Sequence, residues 1–397
     1  MSSAAHRIAF VTGGLPFGGS TSFLLHLGTG LRNAEIECEV FNLTAHNPMA
    51  EEFSHAGVPV HVWDEHRLIF EDRLTRLHTA LAQFKPTVVI ANIGCDAYEV
   101  LRHIPAGVAR LGMVHDRTMR PDQLIPAYRD ALDHVIVQAT HLLEDIRKAA
   151  PEIPCSQLPF VTPLPLDHAP RDPNPEAPLK LIYFGRLTEQ KGADVFAQLV
   201  ATLERRSIPF RLTLQGRGEA EEFLRRELAA EIAAGFVTLK PPADRVEFFS
   251  GIRRNDVYLL ASEFEGGPLT LLEGMALGLV PVCGDIPCLV QEVITTATGF
   301  RVPRSDAEAY ASAIERLHRD RPLLERMSAA ARTEVAGKYE LVAMTRRYSD
   351  FFAEHWPALA IVEWPKKISV KKPRLAGGAW KFSPALRPFR RLLKRLL

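Results

Sequence analysis

Two glutamates stand eight positions apart, Glu265 and Glu273, in the stretch SEFEGGPLTLLEGMALGLVPV (262–282), and Gly266, Gly267 and Pro268 directly follow the first. An apolar run at 257–261 ends just before them, and helical spacing begins near Leu269, so the Gly-Gly-Pro turn opens a helix. The first amides of a helix have no partner within it and carry the positive end of its dipole, which makes such a turn a seat for an anion. Glu265 precedes the helix, within reach of whatever those amides hold. Glu273 lies about one turn in, and its two oxygens suit a pair of vicinal hydroxyls, as on a ribose. The plainer alternatives are a capping acid at 265 and a solvated surface acid at 273. The small and apolar flank GMALGLVP speaks for a buried helix, which disfavours solvated acids.

A second cluster is FGRLTEQKG (184–192), where Arg186 and Lys191 lie five apart across a turn that follows an apolar run. Two cations at such an edge can neutralise a diphosphate, Arg186 as a fork and Lys191 as a point charge. A generic solvent-facing turn would also carry both. The third is GGLPFGGSTS (13–22), between the run RIAFVT and a helical stretch. Gly18 and Gly19 sit where backbone must approach closely, Ser20 or Thr21 can cap the helix, and the free amides can hold a phosphate. The pattern is not GxGxxG and no acid follows about 20 residues on in the expected context, which disfavours a dinucleotide site; an ordinary turn is the alternative.

These clusters sit on a repeating scaffold. Runs at 7–12, 38–42, 58–63, 87–93, 111–115 and 134–138 read as strands, with helices at 21–31, 68–84 and 142–149 between them. Continuously apolar strands alternating with helices indicate a parallel sheet covered on both faces and doubly wound. Residues 162–179 then hold six prolines without apolar periodicity, a stiff linker. The alternation restarts with strands at 180–184, 211–215, 237–240, 257–261 and 279–283 and helices at 305–318, 323–337 and 341–355. The predicted organisation is an N-terminal domain over 1–165, a linker over 166–178, a second domain over 179–340, a helix over 341–360 and a basic tail over 361–397. Ligands of such α/β sheets bind at the carboxyl ends of the strands.

The motifs EGGPLTLLEGMALGLVPV, FGRLTEQKG and GGSTSFLLHLGTGL, in this order of domains, resemble the signature of family-4 retaining glycosyltransferases (group 1 glycosyl transferases) of the GT-B fold. The resemblance is strong over 179–317 and rests on element order over the first 160 residues. It implies two Rossmann-like domains facing across a cleft, with the 341–360 helix crossing back onto the first. It also implies that Arg186 and Lys191 bind the leaving diphosphate, that Glu265 contacts donor-sugar hydroxyls beside the amides of Gly267, Leu269 and Thr270, and that Glu273 holds the ribose. Gly18 and Gly19 would close on the phosphate, and Lys240 stands near the base where relatives often carry glycine. The family commonly places a histidine at the end of a strand of the first domain beside the donor sugar, and GMVHDRT offers His115. A structural histidine is the alternative there. A nucleotide-diphosphate sugar, UDP- or GDP-linked, is the implied co-substrate, with no separate cofactor. No DxD motif flanks the site, in keeping with metal independence.

Composition bounds what remains. With 397 residues, 47% hydrophobic and 24% charged, the chain has the make-up of a two-domain globular protein, not of a disordered, collagen-like or coiled-coil one. Five widely spread cysteines without CxxC spacing suggest neither a disulfide scaffold nor a zinc site. No leader-like segment and no run of 18 apolar residues is found, so a cytoplasmic location is the expectation. Eleven Lys or Arg but one acid, Glu363, fall in 361–397. That leaves the body at about −9 and the tail at about +10. In LRPFRRLLKRLL (386–397), at 100° per residue, Leu386, Phe389, Leu392, Leu393, Leu396 and Leu397 share an arc of about 140° with the bases opposite. Such a helix suits the inner face of an anionic membrane, with internal docking as the alternative. The charge from Lys366 to Arg374, running beyond any docking helix, favours the membrane. Nucleic acid is disfavoured, since basic and aromatic residues do not interleave.

The expected activity is retaining transfer of a hexose-type sugar from a nucleotide-diphosphate sugar to a hydroxyl of a glycan or lipid-linked acceptor, in bacterial-type cell-surface polysaccharide or glycolipid synthesis. The alternatives are a GT-B epimerase or phosphorylase, or a degenerate scaffold subunit of a glycan-assembly complex.

Overall fold

The structure, a computed structural model, describes residues 6–43, 47–63, 68–160, 162–164, 176–242, 245–356 and 362–375. The expected linker at 166–178 falls largely, and the amphipathic stretch 386–397 wholly, outside the described residues. The chain divides into two units, Met1–Val161 with Leu341–Leu397, and Thr162–Glu340.

In the first unit, strands β1 (Arg7–Thr12), β2 (Glu37–Asn42), β3 (Val60–Val62), β4 (Val88–Ile93), β5 (Ala109–Val114), β6 (His134–Val137) and β7 (Cys155–Gln157) pair in the order β3-β2-β1-β4-β5-β6-β7. Every pairing is parallel. Helices α1 (Gly19–Asn33), α2 (Ala50–His55), α3 (Phe70–Phe84), α4 (Cys95–Leu101), α5 (Pro121–Tyr128) and α6 (Thr140–Ala149) connect them. Ile8, Ala9, Phe10 and Val11 are all fully buried, as are Val88 to Ala91. That continuous burial is the mark of a parallel sheet packed on both faces.

The second unit repeats the plan. Strands β8 (Leu179–Phe184), β9 (Phe210–Gln215), β10 (Val237–Lys240), β11 (Val257–Leu260), β12 (Val280–Gly284) and β13 (Phe300–Val302) run in the order β10-β9-β8-β11-β12-β13, again parallel. Helices α7 (Ala193–Arg205), α8 (Glu221–Glu227), α9 (Ala229–Ala233), α10 (Arg245–Ile252), α11 (Leu269–Ala276), α12 (Leu289–Val293), α13 (Ala307–Arg319) and α14 (Arg321–Val335) cover it. The winding direction reverses between β1 and β4 in one sheet and between β8 and β11 in the other. Such reversals part the loops at the carboxyl edge and open a crevice there. The doubly wound expectation holds for both units.

The first unit is completed by the end of the chain. Helix α15 (Leu341–His355) packs on α1, where Gly30 leaves no room: a Cβ there would lie 2.0 Å from the Thr345 hydroxyl. Tyr348 Oη donates to the Leu158 carbonyl at 3.2 Å. Residues 362–375 then run as a strap over the same unit. Val362, Trp364 and Val370 pack against its core, and the Trp364 ring lies 5.4 Å from that of His78 in α3. Arg102 donates to the Lys372 carbonyl at 2.8 Å, and Arg374 binds the Asp130 carboxylate and the Ala127 carbonyl. The buried Glu99 of α4 accepts from Tyr128 Oη and Arg102 at 2.7 Å each and from the Arg374 amide at 2.5 Å. The charge at 366–374, expected to extend beyond any docking helix, therefore sits on a segment that itself docks on the first unit.

Short elements escaped the sequence pattern. Residues 121–128, which no expected helix covers, form α5, which opens on Pro121 and contains Pro126. Proline is well placed in the first turn of a helix, where its missing N–H has no partner to lose. Thr162, inside the expected linker, forms a parallel bridge with Glu340 and belongs to the second unit. Cys38, Cys155, Cys283 and Cys288 are free thiols.

Three histidines of the first unit are held neutral. Burial pushes His103, His115 and His134 down to about 4, with Lys371 and Arg102 adding to the effect at His103. The unfolded chain, with these groups near 6.5, then binds more protons than the folded one between about pH 6.5 and about pH 4. Stability is expected to fall as pH drops through that window. Urea midpoints across it check this, and His103→Gln should flatten the slope; a pH-independent midpoint would contradict it.

Candidate active site

At the carboxyl edge of the second sheet, the three turns that follow β8, β9 and β11 are stitched together. The β8 turn is held by its backbone: the Gly185 amide donates to Gln215 at 3.0 Å and that of Leu187 to Arg217 at 2.8 Å. Tyr183 Oη donates to the Arg186 carbonyl at 2.6 Å. The approach of the β9 turn is so close that a Cβ on Gly216 would lie 1.8 Å from the Gly185 oxygen. Gly192 closes the β8 turn in the left-handed region at φ 81°, and a Cβ there would meet the Ala261 oxygen at 2.4 Å. Both positions admit glycine alone.

The β11 loop docks on this turn. The Glu263 amide donates to the Gln190 carbonyl at 2.8 Å and Gln190 Nε2 to the Phe264 carbonyl at 2.6 Å. Lys191 Nζ meets Glu265 Oε1 at 2.5 Å, and Ser262 Oγ donates to the same oxygen at 2.6 Å. The two charged side chains are only 16% and 12% exposed, so their attraction is weakly screened. Lys191, read from sequence as one of a pair of open cations, is thus already neutralised. Arg186 is exposed, and among the described residues its guanidinium has neither hydrogen bond nor ion pair. The structure therefore gives the two cations different electrostatic settings.

Pro268, not Glu265, occupies the cap position of α11, and no side chain caps that helix. The capping alternative for Glu265 falls. Gly266 is buried and Gly267 partly so, while the amides of Leu269 and Thr270 begin the helix. The Thr270 hydroxyl is taken up by Tyr258 Oη at 2.7 Å, which leaves its backbone as the contribution to an anion seat. Glu273 is 8% exposed and accepts from the Thr162 hydroxyl at 3.4 Å; the solvated alternative falls too. Lys240, at the end of β10, is exposed, and its carbonyl accepts from the Gly216 amide at 2.8 Å.

In the first unit, Gly18 caps α1 with no side-chain bond, and Gly19 opens the helix. Ser20 and Thr21 lie inside the first turn, so neither caps it as expected; Thr21 is buried with its hydroxyl unpartnered among the described residues. A Cβ on Gly18 or Gly19 would meet nothing within 4 Å. No protein neighbour demands glycine at either. His115 follows β5, buried, with its ring edge-on to Phe23 at 5.5 Å. Its Nε2 faces Asn92 Oδ1 at 2.5 Å, while Nδ1 is buried without a partner among the described residues. Asn92 Nδ2 in turn lies 3.5 Å from the Thr12 hydroxyl. With Nε2–H given to Asn92, the neutral ring keeps a lone pair on Nδ1.

Sequence reasoning missed Ser262, Gln190, Asn92 and the Gly216–Gly218 turn. The last had a signal, QGRGEA at the end of a strand, whereas the others act through partners distant in the chain. Thr188, in the β8 turn, was also passed over; its hydroxyl is buried and unpartnered among the described residues.

Known proteins resemble this chain in sequence and in fold. Residues 167–334 match the family described as glycosyl transferases group 1. The putative colanic acid biosynthesis glycosyltransferase WcaL of Salmonella typhimurium is 29% identical over 181 residues, 44% of either chain. The lipopolysaccharide core biosynthesis mannosyltransferase LpcC of Rhizobium leguminosarum is 32% identical over 140 residues, 33% of this chain and 38% of that one. The chain thus spans under half the length of these curated relatives. Among solved structures, HepE of Anabaena in complex with UDP superposes with a TM-score of 0.73 at 15% identity, covering 88% of this chain and 100% of that one. The lipopolysaccharide outer core galactosyltransferase WaaB does so at 0.70 and 16%, covering 88% and 99%. The GT-B fold and the group 1 resemblance read from the motifs stand.

The glycines divide into two kinds, with an observable difference. Gly192→Ala should destabilise by about 2–4 kcal/mol through its left-handed backbone and its clash with Ala261. Gly18→Ala should stay within about 0.5 kcal/mol of the wild type. Chemical denaturation of both variants checks the contrast, and equal losses would refute it.

Proposed function

We propose, from a chain whose second unit is that of a group 1 glycosyl transferase, that this protein is a retaining, metal-independent transferase of a hexose-type sugar from a UDP- or GDP-linked donor. The acceptor is a hydroxyl of a glycan or lipid-linked saccharide in bacterial-type cell-surface polysaccharide or glycolipid synthesis. Residues 361–397 bring it to an anionic membrane from the cytoplasmic side. The observation that carries this reading is the set Lys191, Glu265 and buried Glu273 around the Gly-Gly-Pro start of α11. The relatives named for colanic acid and lipopolysaccharide core synthesis support the acceptor class, and the UDP named in the HepE structure supports the donor class.

In this mechanism the leaving diphosphate takes the proton of the acceptor hydroxyl on the face it departs from, while positive charge builds on the anomeric carbon. The protein then contributes positioning and fixed charge rather than a covalent intermediate. Arg186 provides an unpaired fork for the diphosphate, and Lys191 shares its charge between phosphate and Glu265. Glu265, anchored by Ser262, accepts donor-sugar hydroxyls, and Glu273 accepts those of the ribose. Gly18 and Gly19 offer amides to phosphate without a side chain in the way. His115, neutral at working pH, acts as a hydrogen-bonding group and not as a proton donor.

Arg186 offers the cleanest test because nothing in the fold leans on it. Arg186→Ala should melt like the wild type yet lower kcat on the order of 10²–10³, the loss typical of one oxyanion stabiliser. Lys191→Ala should also lose stability, since it strands the Glu265 carboxylate. A thermal-shift panel of UDP, GDP and ADP, with CMP as control, reads the site without an acceptor, since a bound ligand stabilises by about 2.7 kcal/mol at a hundred times its Kd. One diphosphate should raise the wild-type Tm and leave Arg186→Ala much less affected. No response to any diphosphate would overturn the transferase reading in favour of a scaffold.

A further inference from the structure

The strap at 362–375 has two faces of different chemistry. Val362, Trp364, Ile368 and Val370 are half-buried and Pro373 is fully buried. Lys366, Lys367, Lys371 and Lys372 are all exposed. The apolar set is anchored while both lysine pairs, which interrupt it in sequence, lie at the surface. The anchors are firm: the Arg374–Asp130 ion pair, the Arg102 bond to the Lys372 carbonyl and the buried Glu99 carboxylate under the Arg374 amide. Among the described residues none of the four lysines has an ion pair or a side-chain hydrogen bond, and Glu363 is the only acid on the strap. The protein therefore holds four uncompensated cations on a fixed ridge across α3, α4 and α5. An unattached basic tail would leave them to move at random.

We propose that this ridge is a membrane-facing surface, and that Lys366, Lys367, Lys371 and Lys372 contact the headgroups of anionic lipids. The two lysine pairs are five residues apart, at most ~18 Å along extended chain. Two pairs set apart along a docked segment define a line of contact, not a point. A line of contact fixes the orientation of the first unit against a plane. Charge complementarity with a lipid surface selects the partner: the ridge carries no aromatic outward for base stacking, and the chain continues into the basic amphipathic pattern of 386–397. The inference deepens the membrane reading above and rests on the transferase assignment only for its purpose.

The experiment uses the full-length chain and vesicles of neutral phosphatidylcholine with or without phosphatidylglycerol. The ridge variant is Lys366→Gln, Lys367→Gln, Lys371→Gln and Lys372→Gln together. The tail variant is Arg387→Gln, Arg390→Gln, Arg391→Gln, Lys394→Gln and Arg395→Gln. Wild type should sediment with anionic vesicles only, and the ridge variant should bind them on the order of 10³-fold more weakly with an unchanged Tm. Wild-type binding by the ridge variant, with loss in the tail variant alone, would overturn the proposal and leave 386–397 as the whole anchor. Duplex DNA displacing wild type from vesicles at equal phosphate would overturn it in favour of nucleic acid. The diphosphate thermal shift on the same ridge variant separates the two readings. A retained shift with lost vesicle binding supports the ridge, whereas a wild type blind to every diphosphate indicts the transferase assignment and not the ridge.

Discussion

A parallel sheet covered on both faces has no side on which to do chemistry, and that constraint organises this molecule. Its central strands, such as β1, β4 and β11, are buried almost throughout because helices lie above and below them, so polar groups gather where the strands stop. In the second unit the gathering is a lattice of turns. Gly216 touches Gly185, Gly192 touches Ala261, and the Lys191–Glu265 pair joins residues 74 positions apart. In the first unit it is a chain of neutral groups, Thr12, Asn92 and His115, each at the end of an adjacent strand.

The Lys191–Glu265 pair has a double character. Moving both charges out of water is costly, and their attraction only offsets that cost when geometry and further hydrogen bonds are good. Ser262 supplies one such bond to Glu265. As a contribution to stability the pair is close to neutral, while losing either partner strands a nearly buried charge. Its larger effect is on position: a cation and an anion are locked beside the start of α11, so neither side chain needs ordering when a ligand arrives. Arg186 is the opposite case, a free long side chain whose ordering falls on the bound state.

What could be read from the chain beforehand follows the range of the interactions. Strands such as 7–12 and 257–260 were legible because their burial is written in consecutive apolar residues. The Gly-rich turns were legible because a local backbone demand selects glycine. The pairing of Lys191 with Glu265, or of Glu99 with the Arg374 amide, depends on which strands become neighbours, and single-chain spacing does not carry that information. α5 was hidden by its prolines, one of which sits where a helix tolerates it best. The strap was hidden by its charge: the alternation of Val362, Trp364, Ile368 and Val370 is interrupted by lysine pairs that dominate any reading of composition.

The contact of Gly30 with Thr345 has a consequence for how the protein is made. The ribosome delivers α1 before, and α15 with the strap after, the whole of the second unit. Domains usually mature in the order of synthesis, but here the one begun first is finished last. Phe23, whose ring meets Tyr348 at 6.1 Å, and His78, whose ring lies against Trp364, stay uncovered until α15 and the strap emerge. A chain cut short after Glu340 would keep the second unit while leaving the first one open.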